Sequence, residues 1–295
     1  MFKKIICFFL LSSALFAQEQ PEFIQYSNNM NMINPAYVIH EEGIIRVGAF
    51  YKTRKVSEEG SVHTLNAYAN IPITKNFEGS INYIRDDFSG FFHENAFDVN
   101  FSYIFKVSDL WNLSLGMKVR IDEYDINFQD RGFGHDFALA NEDNALFNFG
   151  AGAYFFSDNA YVGLSVPSFS RDNNENRNIE KEFKIYAIGG YVFEIDDFLI
   201  KPSVLLKQPE KGDFSFDLSG SALYKEFIEA GISYRLDSGV AVNLGFYVLK
   251  GFYLSYAHKF ETSQTCSSCD NNQFLIQYNI DLLNLDSKYR IKRFF

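Results

Sequence analysis

Beyond its first 17 residues the chain has no long apolar run. A helix that spans a membrane needs roughly 20 consecutive apolar residues, and no later segment approaches that length. If the protein enters a membrane, it therefore has to cross as β-strands. Those strands must close into a barrel, because hydrocarbon cannot satisfy the hydrogen-bonding groups at the open edge of a sheet.

Cysteine is also scarce, with three residues in 295. Cys266 and Cys269 form a Cys-x-x-Cys pair, and the second pair or the spaced histidines that a zinc ribbon requires are missing. On a loop of an exported protein we expect a local disulfide, with free thiols or a bound metal as the alternatives. Cys7 lies too close to the start of the chain to be a lipidated cysteine.

Catalytic and cofactor-binding motifs are missing as well. No Gly-x-Ser-x-Gly sequence occurs, and Gly150-Ala-Gly152 lies inside a predicted strand, where it does not form a phosphate-binding loop. The histidines lack the clustering of a metal site and are scattered as His40, His63, His93, His135 and His258. The sequence therefore predicts no enzyme activity, no metal and no cofactor.

Residues 1–17 have the three parts of a secretory signal peptide. Two lysines precede the apolar run Ile5–Leu11, and small residues follow near Ala14 and Ala17. We expect the mature chain to leave the cytoplasm. Its 25 Lys and Arg stand against 37 Asp and Glu, a net charge near −12 that argues against nucleic-acid binding.

Aromatic residues are what the chain has in excess, with 33 Phe and 18 Tyr against a single Trp. A soluble core of this size needs far fewer, so the surplus has to face something apolar. From Ile44 onward apolar and polar residues alternate with a period of two. The apolar positions of the two clearest stretches are Phe97, Val99, Phe101, Tyr103, Phe105 and Val107, then Leu113, Leu115, Met117, Val119 and Ile121. This alternation suits strands with lipid outside and a polar lumen inside, although a half-buried soluble sheet has the same pattern.

The lengths of the connections separate these two alternatives. We predict about fourteen strands, over residues 44–54, 62–71, 77–86, 94–107, 111–124, 146–156, 160–166, 182–194, 198–206, 214–224, 227–236, 240–248, 252–260 and 273–282. Short turns alternate with longer polar loops, except for a tight turn at 237–239. Bacterial outer-membrane barrels have this asymmetry, with the short turns in the periplasm. The fold class is therefore all-β, a transmembrane antiparallel β-barrel over residues 44–282 in the outer membrane.

Two segments flank the barrel in this division of the chain. Residues 18–43 have no sustained alternation and form an ordered periplasmic or lumen segment. It is either a lead-in that packs on the barrel end or in its lumen, or a docking element for a partner. The candidate docking residues are Phe23, Tyr26, Asn34, Pro35, Ala36 and Tyr37. Residues 283–295 are either a basic C-terminal tail or the final strand.

Seven short stretches, taken in order along the chain, are spread over nearly the whole mature sequence. They are Phe23-Ile-Gln-Tyr26, Ile33-Asn-Pro-Ala-Tyr37, Leu113-Ser-Leu-Gly-Met117, Asn148-Phe-Gly-Ala-Gly-Ala-Tyr154, Tyr161-Val-Gly-Leu-Ser-Val-Pro167, Gly189-Gly-Tyr191 and Ile200-Lys-Pro-Ser203. Together they resemble the PorP/SprF family, outer-membrane proteins of the type IX secretion system and the gliding machinery of Bacteroidetes.

The resemblance implies an accessory outer-membrane barrel that is neither an enzyme nor the main secretion pore. It implies contacts with outer-membrane lipid and with periplasmic or lipoprotein components of the machinery. It also implies a secreted, adhesin-like partner that the barrel helps to export or to attach at the surface. The strand pattern leaves a general diffusion channel of the porin kind as the alternative. A barrel enzyme would need a nucleophile and a base on one wall, and no spacing offers them.

Overall fold

The protein is one antiparallel sheet that surrounds the segment preceding its first strand. A computed structural model describes residues 23–41, 43–55, 60–88, 92–126, 144–169, 183–210, 212–236, 238–261, 270–283 and 294. The strands are β1 (Ile44–Lys55), β2 (Ser61–Thr74), β3 (Phe77–Phe88), β4 (Phe92–Lys106), β5 (Asn112–Ile126), β6 (Asn144–Phe156), β7 (Ala160–Phe169), β8 (Lys184–Tyr191), β9 (Phe193–Ile195), β10 (Phe198–Pro209), β11 (Ser215–Tyr224), β12 (Ile228–Arg235), β13 (Gly239–Leu249), β14 (Phe252–Glu261) and β15 (Asp270–Asp281).

Each strand pairs with its neighbours along the chain, and β15 pairs with β1 to close the ring. β8 and β9 both pair with β10 and are separated by Val192 alone, so they form one interrupted barrel strand. The result is a closed antiparallel barrel of fourteen strands, which confirms the predicted fold class. Among the described strands only the three-residue β9, beside the turn 196–197, has a partner on one side alone, so the barrel leaves no long edge open to hydrocarbon.

The alternation of side chains follows the predicted faces. On β4, Phe97, Phe101 and Tyr103 point outward and are 45%, 46% and 48% exposed, while Asp98 and Asn100 point inward and are buried. Successive side chains of a strand point to opposite faces, so closure commits every second residue to the lumen. The outward face is apolar and aromatic, as lipid contact requires.

The connections confirm the predicted asymmetry. At one end of the barrel the strands are joined by short turns, which occupy 75–76, 107–111, 157–159, 196–197, 225–227 and 250–251. At the other end the links are mostly longer, up to 127–143, and the exceptions are two three-residue links, the expected one at 236–238 and one at 89–91, where a longer loop was predicted. We call these ends the short-turn mouth and the long-loop mouth. By the rule for outer-membrane barrels, the short-turn mouth faces the periplasm.

Aromatic side chains lie on the outer wall both close to the short-turn mouth and farther along the strands. Close to the short-turn mouth, Trp111 stacks on Phe155 with their ring centroids 4.7 Å apart. Towards the long-loop mouth, the hydroxyl of Tyr83 donates a hydrogen bond to Asn95 over 2.9 Å, and Tyr256 packs against Phe274. Aromatic girdles of this kind mark the two membrane–water interfaces of a transmembrane barrel.

The residues before β1 include a short 3₁₀ helix, Tyr26–Met32. None of the helices in the described part of the chain is long and apolar enough to cross a membrane. Asn28, Asn29 and Asn31 lie in the 3₁₀ helix, and asparagine side chains compete for backbone hydrogen bonds, which disfavours a longer regular helix. The helix is therefore set by its surroundings more than by its own propensity.

A charge on the outward face tests the assignment of that face to lipid. Val119 lies near the middle of β5 and points outward, and Val119→Arg should lower the free energy of unfolding by about 2–4 kcal/mol. Leu110→Arg, in the exposed turn before β5, is the control and should cost about 0–1 kcal/mol. Guanidinium unfolding of barrels reconstituted in bilayers measures both. Equal small effects would contradict a lipid-facing wall.

Candidate functional site in the barrel lumen

Residues 23–41, here called the lumen segment, run through the inside of the barrel. Phe23 lies in the long-loop half, where its ring packs against Phe50 of β1 at 5.2 Å between centroids. His40 lies at the other end and packs edge-on against Phe156, the last residue of β6. The segment therefore descends from the long-loop half to the short-turn mouth, where β1 begins.

The first part of the segment is held by amide groups. The backbone N–H of Ile24 donates to Oε1 of Gln273 over 2.7 Å, and Ser255 donates to the side-chain oxygen of Gln25. Burial raises the pKa of the Tyr26 hydroxyl to about 12, and the nearby carboxylate of Asp217 acts in the same direction. Tyr26 is therefore neutral at physiological pH.

The asparagines of the 3₁₀ helix contact β2 and β3. Nδ2 of Asn29 donates to Oδ1 of Asn82 over 2.7 Å and to Oδ1 of Asn66 over 3.3 Å. Asn31 donates in the same way to Asn70. Because these groups are buried, their hydrogen bonds replace contacts with water that both partners have lost.

A charged cluster on β4 and β5 contacts the middle of the segment. Nζ of Lys118 lies 3.8 Å from the carboxylate of Asp98 and donates to the backbone oxygen of Met32 over 3.1 Å. Arg120 lies between Asp98 and Asp122 and forms ion pairs with both. Buried charges need such partners, because an unpaired one costs several kcal/mol, on the order of 3–5 when a pair is broken.

Three glycines of adjacent strands make room for the turn at Asn34-Pro35. We call Gly116, Gly152 and Gly163 the glycine face. A Cβ atom at Gly116 would overlap the backbone of Pro35, and Cβ atoms at Gly152 and Gly163 would overlap the side chain of Asn34. Glycine inside a strand commonly marks such a close approach of another backbone.

Asn34 fixes the turn from both sides. Its Nδ2 donates to the backbone oxygen of Ala153 over 3.0 Å, and its Oδ1 accepts the backbone N–H of Ala36 over 2.9 Å. The turn is thus bonded to β6 and to itself. Ala36 is fully buried, and the neighbouring Tyr37 packs edge-on against Tyr154.

A carboxylate clamps the end of the segment. Glu78, near the start of β3, accepts the backbone N–H of Ile39 over 2.8 Å and that of His40 over 2.6 Å, one on each oxygen. Hydrogen bonds to an ionised acceptor are stronger than neutral ones. Glu78 therefore anchors the end of the segment at the short-turn mouth through two hydrogen bonds.

The structure places all six candidate docking residues inside the lumen. Tyr26, Ala36 and Tyr37 are buried there, as are Phe23 and Asn34, and Pro35 lies on the glycine face. Their docking to a partner stays a prediction. Cys266 and Cys269 lie outside the described residues, as does the predicted signal peptide. Within the described ranges, no group of three or more His, Cys, Asp or Glu side chains is placed to hold a metal ion.

Sequence reasoning missed the wall residues that hold the segment, among them Gln273, Lys118 and Glu78. A signal was present, because all three lie at the alternate, polar positions of their strands. This alternation indicates that the three side chains face the lumen, but it does not reveal which part of the chain they bind there. Sequence reasoning also missed Phe294, which lies inside the barrel and is 3% exposed.

The family model of the type IX secretion system membrane protein PorP/SprF matches residues 15–278. The chain belongs to this family. The PorP/SprF match and the closed barrel together make it an outer-membrane component of the type IX secretion system, as the sequence resemblance predicted. No curated protein matches the chain.

Several solved outer-membrane barrels share the fold of this PorP/SprF protein. Omp33 of Acinetobacter baumannii has a TM-score of 0.52 at 7% identity, covering 80% of this chain and 97% of its own. The toluene transporter TbuX of Ralstonia pickettii has a TM-score of 0.54 at 9% identity, covering 85% and 93%. The monoaromatic hydrocarbon channel TodX, as a ΔS2S3 mutant, has a TM-score of 0.55 at 10% identity, covering 86% and 94%. At these identities the likeness concerns the fold alone.

A methyl group on the glycine face tests how tightly the turn is seated. Gly116→Ala should lower the free energy of unfolding by about 1–3 kcal/mol, because the new Cβ forces the turn off the wall. It should also speed proteolysis of the lumen segment. Gly220→Ala on β11 is the control, since a Cβ there meets nothing within 4 Å. Denaturant unfolding compares the two, and a Gly116→Ala loss no larger than the control would contradict the seating.

Proposed function

We propose that this protein is an accessory, non-enzymatic barrel of the type IX secretion system that assists the export or surface attachment of one secreted, adhesin-like protein. It works with periplasmic or lipoprotein components of the machinery rather than as a conduit of its own. The observation that carries the proposal is the occupied lumen. A barrel whose interior holds part of its own chain is suited to protein contact through its rims and loops.

The anchoring of the lumen segment supports this proposal. The segment is bonded to β3 through Glu78, to β5 through Lys118 and to β15 through Gln273, so it contacts the wall on several sides. Most of its side chains are buried. Displacing the whole segment would cost its contacts with all three of these strands, which favours a permanent filling over a loose plug.

We propose, from their sequence, that the links at the long-loop mouth contact the partner. The stretch 168–181 is rich in Asn, Arg and Glu, and surface loops on a rigid scaffold are where binding residues concentrate. The short-turn mouth faces the periplasmic components. The barrel thus offers separate surfaces to the exported protein and to the machinery.

A diffusion channel is the second candidate, and one observation favours it. A cavity of about 560 Å³, including its open part, lies beside the lumen segment in the long-loop half. Its lining combines apolar side chains with cationic ones, among them Phe23, Ile84, Leu205, Arg120, Lys207 and Arg235. Small solutes could enter this space, but the lumen segment continues from there to the short-turn mouth.

Conductance separates the two candidates. In planar bilayers the intact protein should show no steady large pore, whereas deletion of residues 23–41 should open one, because a barrel of this strand number is wider than its own side chains fill. Asp109→Ala, confined to an exposed turn, is the control and should stay silent. A steady large pore in the intact protein would support the channel instead.

Gene deletion tests the link to a cargo. Loss of the gene should leave general secretion intact and remove one surface protein, or a small set, from the cell surface. Proteomics of surface and culture fractions measures this. Restoring the gene should restore the protein, and finding every surface protein still exported and attached would count against the proposal.

A further inference from the structure

The lumen holds a second piece of the chain, at the short-turn mouth. Phe294 lies among the buried apolar residues that also include Tyr161, Val192, Leu199 and Leu223. All four lie within a few residues of the short turns at that mouth. Phe294 therefore occupies a place that the lumen segment does not fill.

Two wall residues hold Phe294 directly. Its ring meets Tyr161 of β7 edge-on, with ring centroids 4.7 Å apart and an interplanar angle of 77°. Nζ of Lys201 on β10 donates to the backbone oxygen of Phe294 over 2.7 Å. Lys201 and Tyr161 are both buried, and Gly190 of β8 provides the space in which the Tyr161 ring stands. The wall thus recognises both an aromatic side chain and the peptide group that carries it.

The backbone at Phe294 is strained. Its φ is +59°, in the left-handed region that bulky side chains rarely adopt. Such conformations persist where the surroundings over-determine them, often at binding sites. The contacts with Tyr161 and Lys201 are among those that hold the residue in this conformation.

We propose that Tyr161 and Lys201 form a phenylalanine-binding slot at the short-turn mouth, which Phe294 occupies in cis and a phenylalanine-bearing peptide segment of a periplasmic protein occupies in its place. Phe294 then acts as an internal competitor that fills the slot until the partner displaces it. The stretch before Phe294 is strongly basic, with Lys288, Arg290, Lys292 and Arg293.

The contacts at Phe294 define the slot. The inference rests on the proposed function only because that function supplies a periplasmic protein as the source of the competing segment. The test uses the full chain with Phe294→Ala, which empties the slot. A fluorescent synthetic peptide with the sequence of residues 288–295 is the probe. We expect it to bind Phe294→Ala roughly tenfold or more tightly than the unaltered protein, whose own tail competes. Fluorescence anisotropy in detergent measures the affinity.

Matched variants decide which wall residues carry the binding. Lys201→Met, added to Phe294→Ala, should weaken peptide binding roughly tenfold, since the buried peptide oxygen loses its charged donor. Lys207→Met is the control, because Lys207 lies on the same face of β10 towards the other mouth. A peptide with alanine at the position of Phe294 should bind no variant. Circular dichroism checks folding, and Phe294→Leu is a second background that keeps an apolar side chain.

Equal affinity of the peptide for the unaltered protein and for Phe294→Ala would overturn the proposed slot. An affinity that Lys201→Met leaves unchanged would also overturn it. Absence of binding to both Phe294→Ala and Phe294→Leu would overturn it as well. These outcomes would leave the proposed function untouched, because conductance and gene deletion test it separately.

Discussion

The pairing of β15 with β1 is the interaction on which the rest of the structure depends. It runs from Ile44 opposite Asp281 to Arg54 opposite Asn271 and removes the last free edge of the sheet. Without it, two rows of backbone groups would face hydrocarbon unpaired. Closure also fixes the faces, since a shift by one residue would exchange every inward side chain for an outward one. The polar lumen is therefore a consequence of closing the sheet in lipid.

A lumen of this size creates a second requirement. Inward side chains fill a barrel of about eight strands, and fourteen strands leave space between them. Here the wall also carries buried charges, and those need partners. The lumen segment supplies them from its backbone, since the carbonyl of Met32 accepts from Lys118 and two N–H groups donate to Glu78. Wall and segment thus satisfy each other.

The strands could be predicted from the sequence because their signal is local. A period of two over ten residues is visible in the chain itself, and the observed bounds differ from the expected ones mostly by one to three residues. The face of each residue follows from the same period. The interruption at Val192 was not predicted, since the pairing of both β8 and β9 with β10 is a property of the neighbouring strand.

The site could not be predicted in the same way, because its contacts join distant positions. Ile24 and Gln273 are 249 residues apart, and Asn34 reaches Ala153 across 119. Nothing in the local pattern around either partner indicates the other. The glycines in the stretches that resemble the family were visible, and their purpose was not. Gly116 and Gly152 lie directly opposite each other across β5 and β6, under the turn that the Asn-Pro-Ala stretch forms.

The glycine face divides the lumen segment into two parts of different resistance to displacement. Before Asn34 the segment is held by side-chain amides, whose bonds water can replace at a net cost of about 1 kcal/mol each, until the bond from Lys118 to Met32 close to the turn. From Asn34 onward its backbone lies against glycine and its N–H groups meet a carboxylate, where water fits poorly and the bonds are charge-assisted. Local opening begins where contacts are weakest. Opening of the filled barrel would therefore start in the long-loop half, at Phe23, while the part near Glu78 stays in place beside the slot that holds Phe294.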